Sequence, residues 1–74
     1  MLSRKVTKKI THKELADRFI KINTGVTVTN WTALIKDDCE VYADTTQPII
    51  KVDLEDGNWL RVYVDKEYSE VTWY

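Results

Sequence analysis

The sequence predicts a small α+β domain: one amphipathic helix, a short second helix, and an antiparallel sheet that ends in a C-terminal three-stranded meander. Three observations carry that expectation. Apolar residues recur at three-to-four spacing over residues 12–22, they alternate with polar ones over residues 49–64 and again at 71–73, and turn-forming residues separate the alternating runs. With 74 residues, the stretch 1–74 reads as a single domain, near the lower size at which a hydrophobic core holds without disulfides or metal.

Residues 1–10 read as a basic edge strand or arm. Val6 and Ile10 stand among Arg4, Lys5, Lys8 and Lys9, which suits a strand protected by charge at the rim of a sheet. Thr11 then begins the helix. Glu14 follows three residues later, so each side chain can satisfy a free backbone N–H near the other, and Ile10 can staple against Leu15. Leu15, Ala16, Phe19, Ile20 and Ile22 fall on one face, with Lys13, Asp17 and Lys21 toward water. Asn23, Thr24 and Gly25 stop the helix at about Ile22, Gly25 being free to take the left-handed conformation.

The middle of the chain carries two signals. VTVT at 26–29 alternates as a strand does, while Thr29 or Asn30 can cap a short helix through Trp31, Leu34 and Ile35. The expectation is a brief extended piece followed by that second helix. CEVYA at 39–43 alternates Cys39, Val41 and Ala43 against Glu40 and Tyr42 and reads as a strand; DTTQP is a turn closed by Pro48.

Parity decides the hairpin that follows. A two-residue Asp56-Gly57 loop would set Val52 opposite Arg61 and mix apolar with polar faces. A three-residue Glu55-Asp56-Gly57 loop, with Gly57 left-handed, sets Val52 opposite Leu60 and Ile50 opposite Val62. Burial of whole side chains outweighs the preference for the tightest turn, so the longer loop is expected. After a turn near residues 66–68, Val71 and Trp73 continue the apolar face on the last strand.

Composition narrows the class of function. A hydrophobic fraction of 43%, a charged fraction of 31% and eight aromatic residues describe an ordinary folded domain. No apolar run is long enough to span a bilayer, and MLSRKVTKKI lacks the apolar centre of a secretory signal. Cys39 is the single cysteine, which fits a reducing compartment and a cytoplasmic location. Net charge is −1 but uneven: residues 1–13 carry five basic side chains and no acid, while the other 61 carry six basic and twelve acidic ones.

Catalysis finds little support in these residues. His12 and Cys39 are each unique, one in the first turn of a helix and the other at a core-facing strand position, so nothing places them together as a nucleophile pair. Asp37-Asp38 with Glu40, and Glu55-Asp56, lack the spacing of a calcium loop. Gly25 ends a helix where a phosphate-cradling loop would need to open one. No enzyme, metal site or cofactor is expected.

What remains is a surface. If the helix covers the aliphatic side of the meander, the other side displays Lys51, Trp59, Arg61 and Tyr63, with Thr72 and Tyr74 beside them. Trp, Tyr and Arg are enriched at the energetic centres of protein interfaces, so a non-enzymatic protein-binding module is the first expectation. Compact chains without catalytic groups are typical of phage or mobile-element accessory proteins, including those that block host defences. An acidic variant of the same reading uses Asp37, Asp38, Glu40, Asp53, Glu55 and Asp56 to imitate phosphates. A homodimer that buries the aromatic face against a second copy is a further outcome.

The alternative is nucleic acid, bound by Arg4, Lys5, Lys8 and Lys9 together with the aromatic face. ELADRFIKINTGVTVTNWTALI, within residues 14–35, resembles a helix-turn-helix, with Ala16 in the first helix, a turn around Gly25 and a Thr/Asn/Trp-bearing second helix. That resemblance implies DNA binding through the second helix. The chain departs from the pattern where Ile20 replaces the expected glycine, where VTVT lengthens the connection, and where two aspartates and a glutamate would meet phosphate.

Overall fold

The structure, a computed structural model, describes residues 4–35 and 43–74. Helix α1 spans His12–Ile22, and four strands follow: β1 Val28–Leu34, β2 Ile49–Leu54, β3 Trp59–Val64 and β4 Val71–Trp73. They form one antiparallel sheet in the order β1-β2-β3-β4, with α1 on one face. The architecture is α+β, and the meander has four strands.

Helix α1 begins where its cap residue dictates. The Thr11 hydroxyl accepts a hydrogen bond from the Glu14 backbone N–H at 3.1 Å, which satisfies one of the donors left free at a helix start and contributes about 1 kcal/mol. Leu15, Ala16 and Phe19 are buried, and Ile22 is packed at the edge of the core. Ile20 departs from the expected face: it is 42% exposed, standing about 100° round the helix from the buried Phe19. Asn23 ends the helix in place of a left-handed Gly25. Its backbone N–H and its Nδ2 both donate to the Phe19 carbonyl, at 2.9 and 3.1 Å, and Gly57 is the glycine with positive φ among the described residues.

The second helix expected at residues 31–35 is a strand. Residues 28–34 form β1, paired with β2 through Trp31–Val52, Thr32–Lys51, Ala33–Ile50 and Leu34–Ile49. A bulge lies between Val28 and Asn30, with the Thr29 hydroxyl donating to the Asp53 carbonyl at 3.2 Å. The extra residue returns Val28 and Trp31 to the same face, three positions apart, and Leu34 is half-buried from the opposite face. The resulting three-residue rhythm imitates a helix. Its β-branched and aromatic residues favour the strand once a partner strand is present. The expected CEVYA strand lies outside the described residues except for Ala43, which bridges Asp65 beyond the end of β3.

The closing hairpin has the expected register. Val52 pairs with Leu60 and Ile50 with Val62, while Gly57 takes φ 91° after a turn closed by the Gly57 N–H to Leu54 carbonyl bond of 3.1 Å. Asp56 holds the loop by accepting from the Asn58 backbone N–H and Nδ2 at 3.0 and 3.1 Å. At the next turn Asp65 accepts the backbone N–H groups of Glu67 and Tyr68, both at 2.8 Å, and Ser69 has φ 54°.

One core fills the space between α1 and the sheet: Val6, Ile10, Leu15, Ala16, Phe19, Ile50, Val52, Val62, Val64 and Val71. Trp73 closes it edge-on against Phe19, with ring centroids 5.3 Å apart. Residues 4–6 lie along the outer edge of β4, where Val6 donates to the Ser69 carbonyl at 2.7 Å and Val71 donates to the Arg4 carbonyl at 2.8 Å. The turn before β2 ties residues 8–10 down: Gln47 donates to the Lys8 carbonyl and accepts from the Ile10 N–H, at 2.9 and 3.1 Å. In that turn Asp44 accepts the Thr46 hydroxyl at 2.6 Å and its backbone N–H at 3.0 Å, and these bonds hold its carboxyl below the usual carboxylate range.

Candidate functional site

The face of the sheet away from α1 is set by the same alternation that fills the core. In β3, Leu60, Val62 and Val64 point to the helix, so Trp59, Arg61 and Tyr63 point away from it. Register then sets neighbours across the sheet. Thr32 stands opposite Lys51 and Lys51 opposite Arg61, while Arg61 exchanges backbone hydrogen bonds with Tyr74 at 2.9 and 3.1 Å. These four residues make a row across the whole sheet, and Asn30, Asp53 and Trp59 make the row beside it.

The five residues expected at the contact surface meet in one cluster. The Arg61 guanidinium carbon lies 4.5 Å from the Trp59 ring centroid and 5.0 Å from that of Tyr74. Lys51 Nζ sits 4.9 Å from the Trp59 ring, so that indole meets one cation from β2 and one from two residues along its own strand. Tyr63 meets Tyr74 edge-on at 6.0 Å. Ring faces attract cations through their quadrupole, with a gain of about 0.5–1 kcal/mol per contact at exposed positions. Lys51 also reaches Asp53 at 3.7 Å.

Exposure varies within the cluster. Trp59 is 44% and Tyr74 41% exposed, Lys51 and Arg61 are half-buried, and Tyr63 is only 6% exposed. Tyr63 is buried because a smaller cluster, with Ala43, Ile49 and Leu34, occupies that end of the face. It anchors the surface at its root while Trp59 and Tyr74 meet solvent. Thr32 and Asn30 extend the same face and were not foreseen there, because reading residues 31–35 as a helix removed them from the sheet. The signal that finds them is the repeated β-branching of VTVTNWT with one parity break at Thr29.

The basic segment follows a different course. Arg4 lies over Trp73 at 4.7 Å and donates its Nε to the Val71 carbonyl at 3.0 Å. Val6 and Ile10 belong to the helix-side core, so residues 4–10 run along the helix layer and the β4 edge, apart from the aromatic face. Lys5, Lys8 and Lys9 are exposed. An open hollow of about 530 Å³ lies where this segment meets the turn before β2, its border including Thr11, His12, Gln47 and Pro48. Gln47 is already committed there to two backbone groups.

His12 is exposed in the first turn of α1, and Cys39 lies outside the described residues, as do Asp37, Asp38 and Glu40 of the expected acidic surface. Among the described residues no three His, Cys, Asp or Glu side chains gather as metal ligands, and no helix is long and apolar enough to cross a membrane. In comparisons with known proteins the chain matches no family model, no curated protein and no solved structure. Its functional reading therefore rests on the surface itself.

Proposed function

We propose that this chain is a small non-enzymatic protein-binding module, an accessory regulator or inhibitor acting in the cytoplasm, which docks on a partner protein through the Trp59/Arg61/Tyr74 face. One observation carries the reading: two exposed aromatic rings hold two cations, and a buried tyrosine braces Tyr74 edge-on from the side. Trp, Tyr and Arg supply large contact area at the centres of interfaces. Because Arg61 already rests on two rings, less rotamer freedom remains to be lost on docking than from a lysine or arginine in open water.

Nucleic acid is the weaker reading for a geometric reason. The face alone would suit base stacking, but the cations needed for phosphate, Arg4, Lys5, Lys8 and Lys9, follow the helix-side edge and Arg4 is spent on Trp73 and Val71. Residues 14–74 carry twice as many acids as bases, which opposes a polyanion.

The test is affinity capture from a lysate with and without nuclease, using the wild-type chain and Arg61→Glu, both checked for folding by circular dichroism. A protein retained by the wild type and lost by the variant is the expected result. Capture that disappears on nuclease treatment, or that Arg61→Glu leaves intact, overturns the reading.

A further inference from the structure

The two edges of the sheet differ in chemistry. The β4 edge is occupied by residues 4–6 and flanked by Arg4, Lys5, Lys8 and Lys9, the charged dressing that keeps an edge from pairing with another chain. Among the described residues the β1 edge has no such dressing. VTNWTAL holds no charged residue and no proline, and no described residue pairs with its outer side. Thr29, Asn30, Thr32 and Ala33 are exposed along it.

We propose that β1 pairs with β1 of a second copy, antiparallel about a two-fold axis at Thr32, joining two sheets into one of eight strands. The strand's own sequence chooses that register. The bulge at Thr29 leaves Asn30–Leu34 as the regular stretch, and centring on Thr32 uses all of it. Thr32 then faces Thr32 of the other copy, a cross-strand pair that favours sheets. Trp31 faces Ala33, and Asn30 faces Leu34. Directly opposed residues must share a face, and they do: Trp31 and Ala33 stand opposite the core residues Val52 and Ile50, while Asn30, Thr32 and Leu34 point to the other side.

The pairing also answers a local oddity. Ala33 lies on the core side of the sheet, beside a fully buried Ile50, yet is itself exposed; the half-buried Trp31 of the second copy fits over it, large against small. No like charges meet anywhere along the contact. The interface is isologous and short, so it makes a reversible dimer whose population rises with concentration. A two-fold axis normal to the sheet keeps both aromatic faces on one side. Thr32 borders the docking face described above, but the pairing itself uses β1 alone and is read by self-association, independently of partner capture through Arg61 and Trp59.

Sedimentation velocity over a concentration series tests it, using the full chain as wild type, Thr32→Lys and Thr32→Glu. Thr32 is exposed, so both variants keep the fold, and circular dichroism checks this. The wild type is expected to dimerise, each variant alone to dimerise roughly tenfold more weakly through like-charge opposition, and an equimolar mixture of the two to recover the dimer. A wild type that stays monomeric at its highest soluble concentration overturns the proposal. So does a dimer that neither variant weakens, or a mixture that fails to recover, which would place any self-contact elsewhere or leave the edge to a different strand.

Discussion

The two faces of β3 come from alternate residues of one six-residue strand, yet they are stabilised by different physics. Toward α1, Val62 and Val64 enter a core from which water is excluded, and no polar or charged side chain among the described residues is buried there. Away from α1, ring and cation contacts hold Trp59 and Arg61 with Trp59 still exposed, while Tyr63 is buried in the smaller cluster. One face is secured by area, the other by geometry. Among the described residues, a sheet this small keeps Trp59 and Tyr74 at a solvent-exposed surface while its main core lies on the opposite side.

Three substitutions sharpen that contrast. Phe19→Ala removes the largest fully buried side chain among the described residues and its contact with Trp73, and is expected to cost about 3–5 kcal/mol, a large share of the stability of such a domain, read as a fall in denaturant midpoint. Tyr63→Ala is the exception on the open face. It empties the small cluster with Ala43 and Ile49 and is expected to cost about 2–3 kcal/mol by the same measurement, less than Phe19→Ala because fewer residues surround it. Trp59→Ala releases Arg61 and Lys51 from one ring and is expected to cost about 1 kcal/mol while abolishing partner capture. A Trp59→Ala loss as large as that of Phe19→Ala would erase the distinction between the faces.

How far the sequence spoke differs between these regions. Thr11 with Glu14 marked the helix start because capping is a local event, fixed within four residues. The pairing of Val52 with Leu60 was legible because a hairpin of three loop residues leaves parity no other way to bury both aliphatic sets. Lys51, Trp59, Arg61, Tyr63 and Tyr74 were legible as one face for the same reason. β1 was not. Its partner β2 lies fifteen residues or more away from its last residue, and the Thr29 bulge breaks the alternation, so Val28, Trp31 and Leu34 carry a rhythm that belongs equally to a helix. Only the pairing with Val52 and Ile50 decides between the two, and pairing over that separation is a tertiary fact. The exposure of Ile20 has a similar origin, since the width of α1's buried stripe depends on where the sheet stops.

The bonds between residues 4–6 and 69–71 also set an order of events. Lys5 bridges Glu70, and Arg4 is joined to Val71 through its backbone and its side chain. While the chain is being made, its earliest described segment waits for almost everything after it, and α1 can form long before the β4 edge is closed. During that interval the edge that residues 4–6 will cover stays unpaired by them, and the lysines at positions 5, 8 and 9 give the waiting segment solubility. Charge placed early in the sequence thus protects a chain whose last strand has yet to arrive.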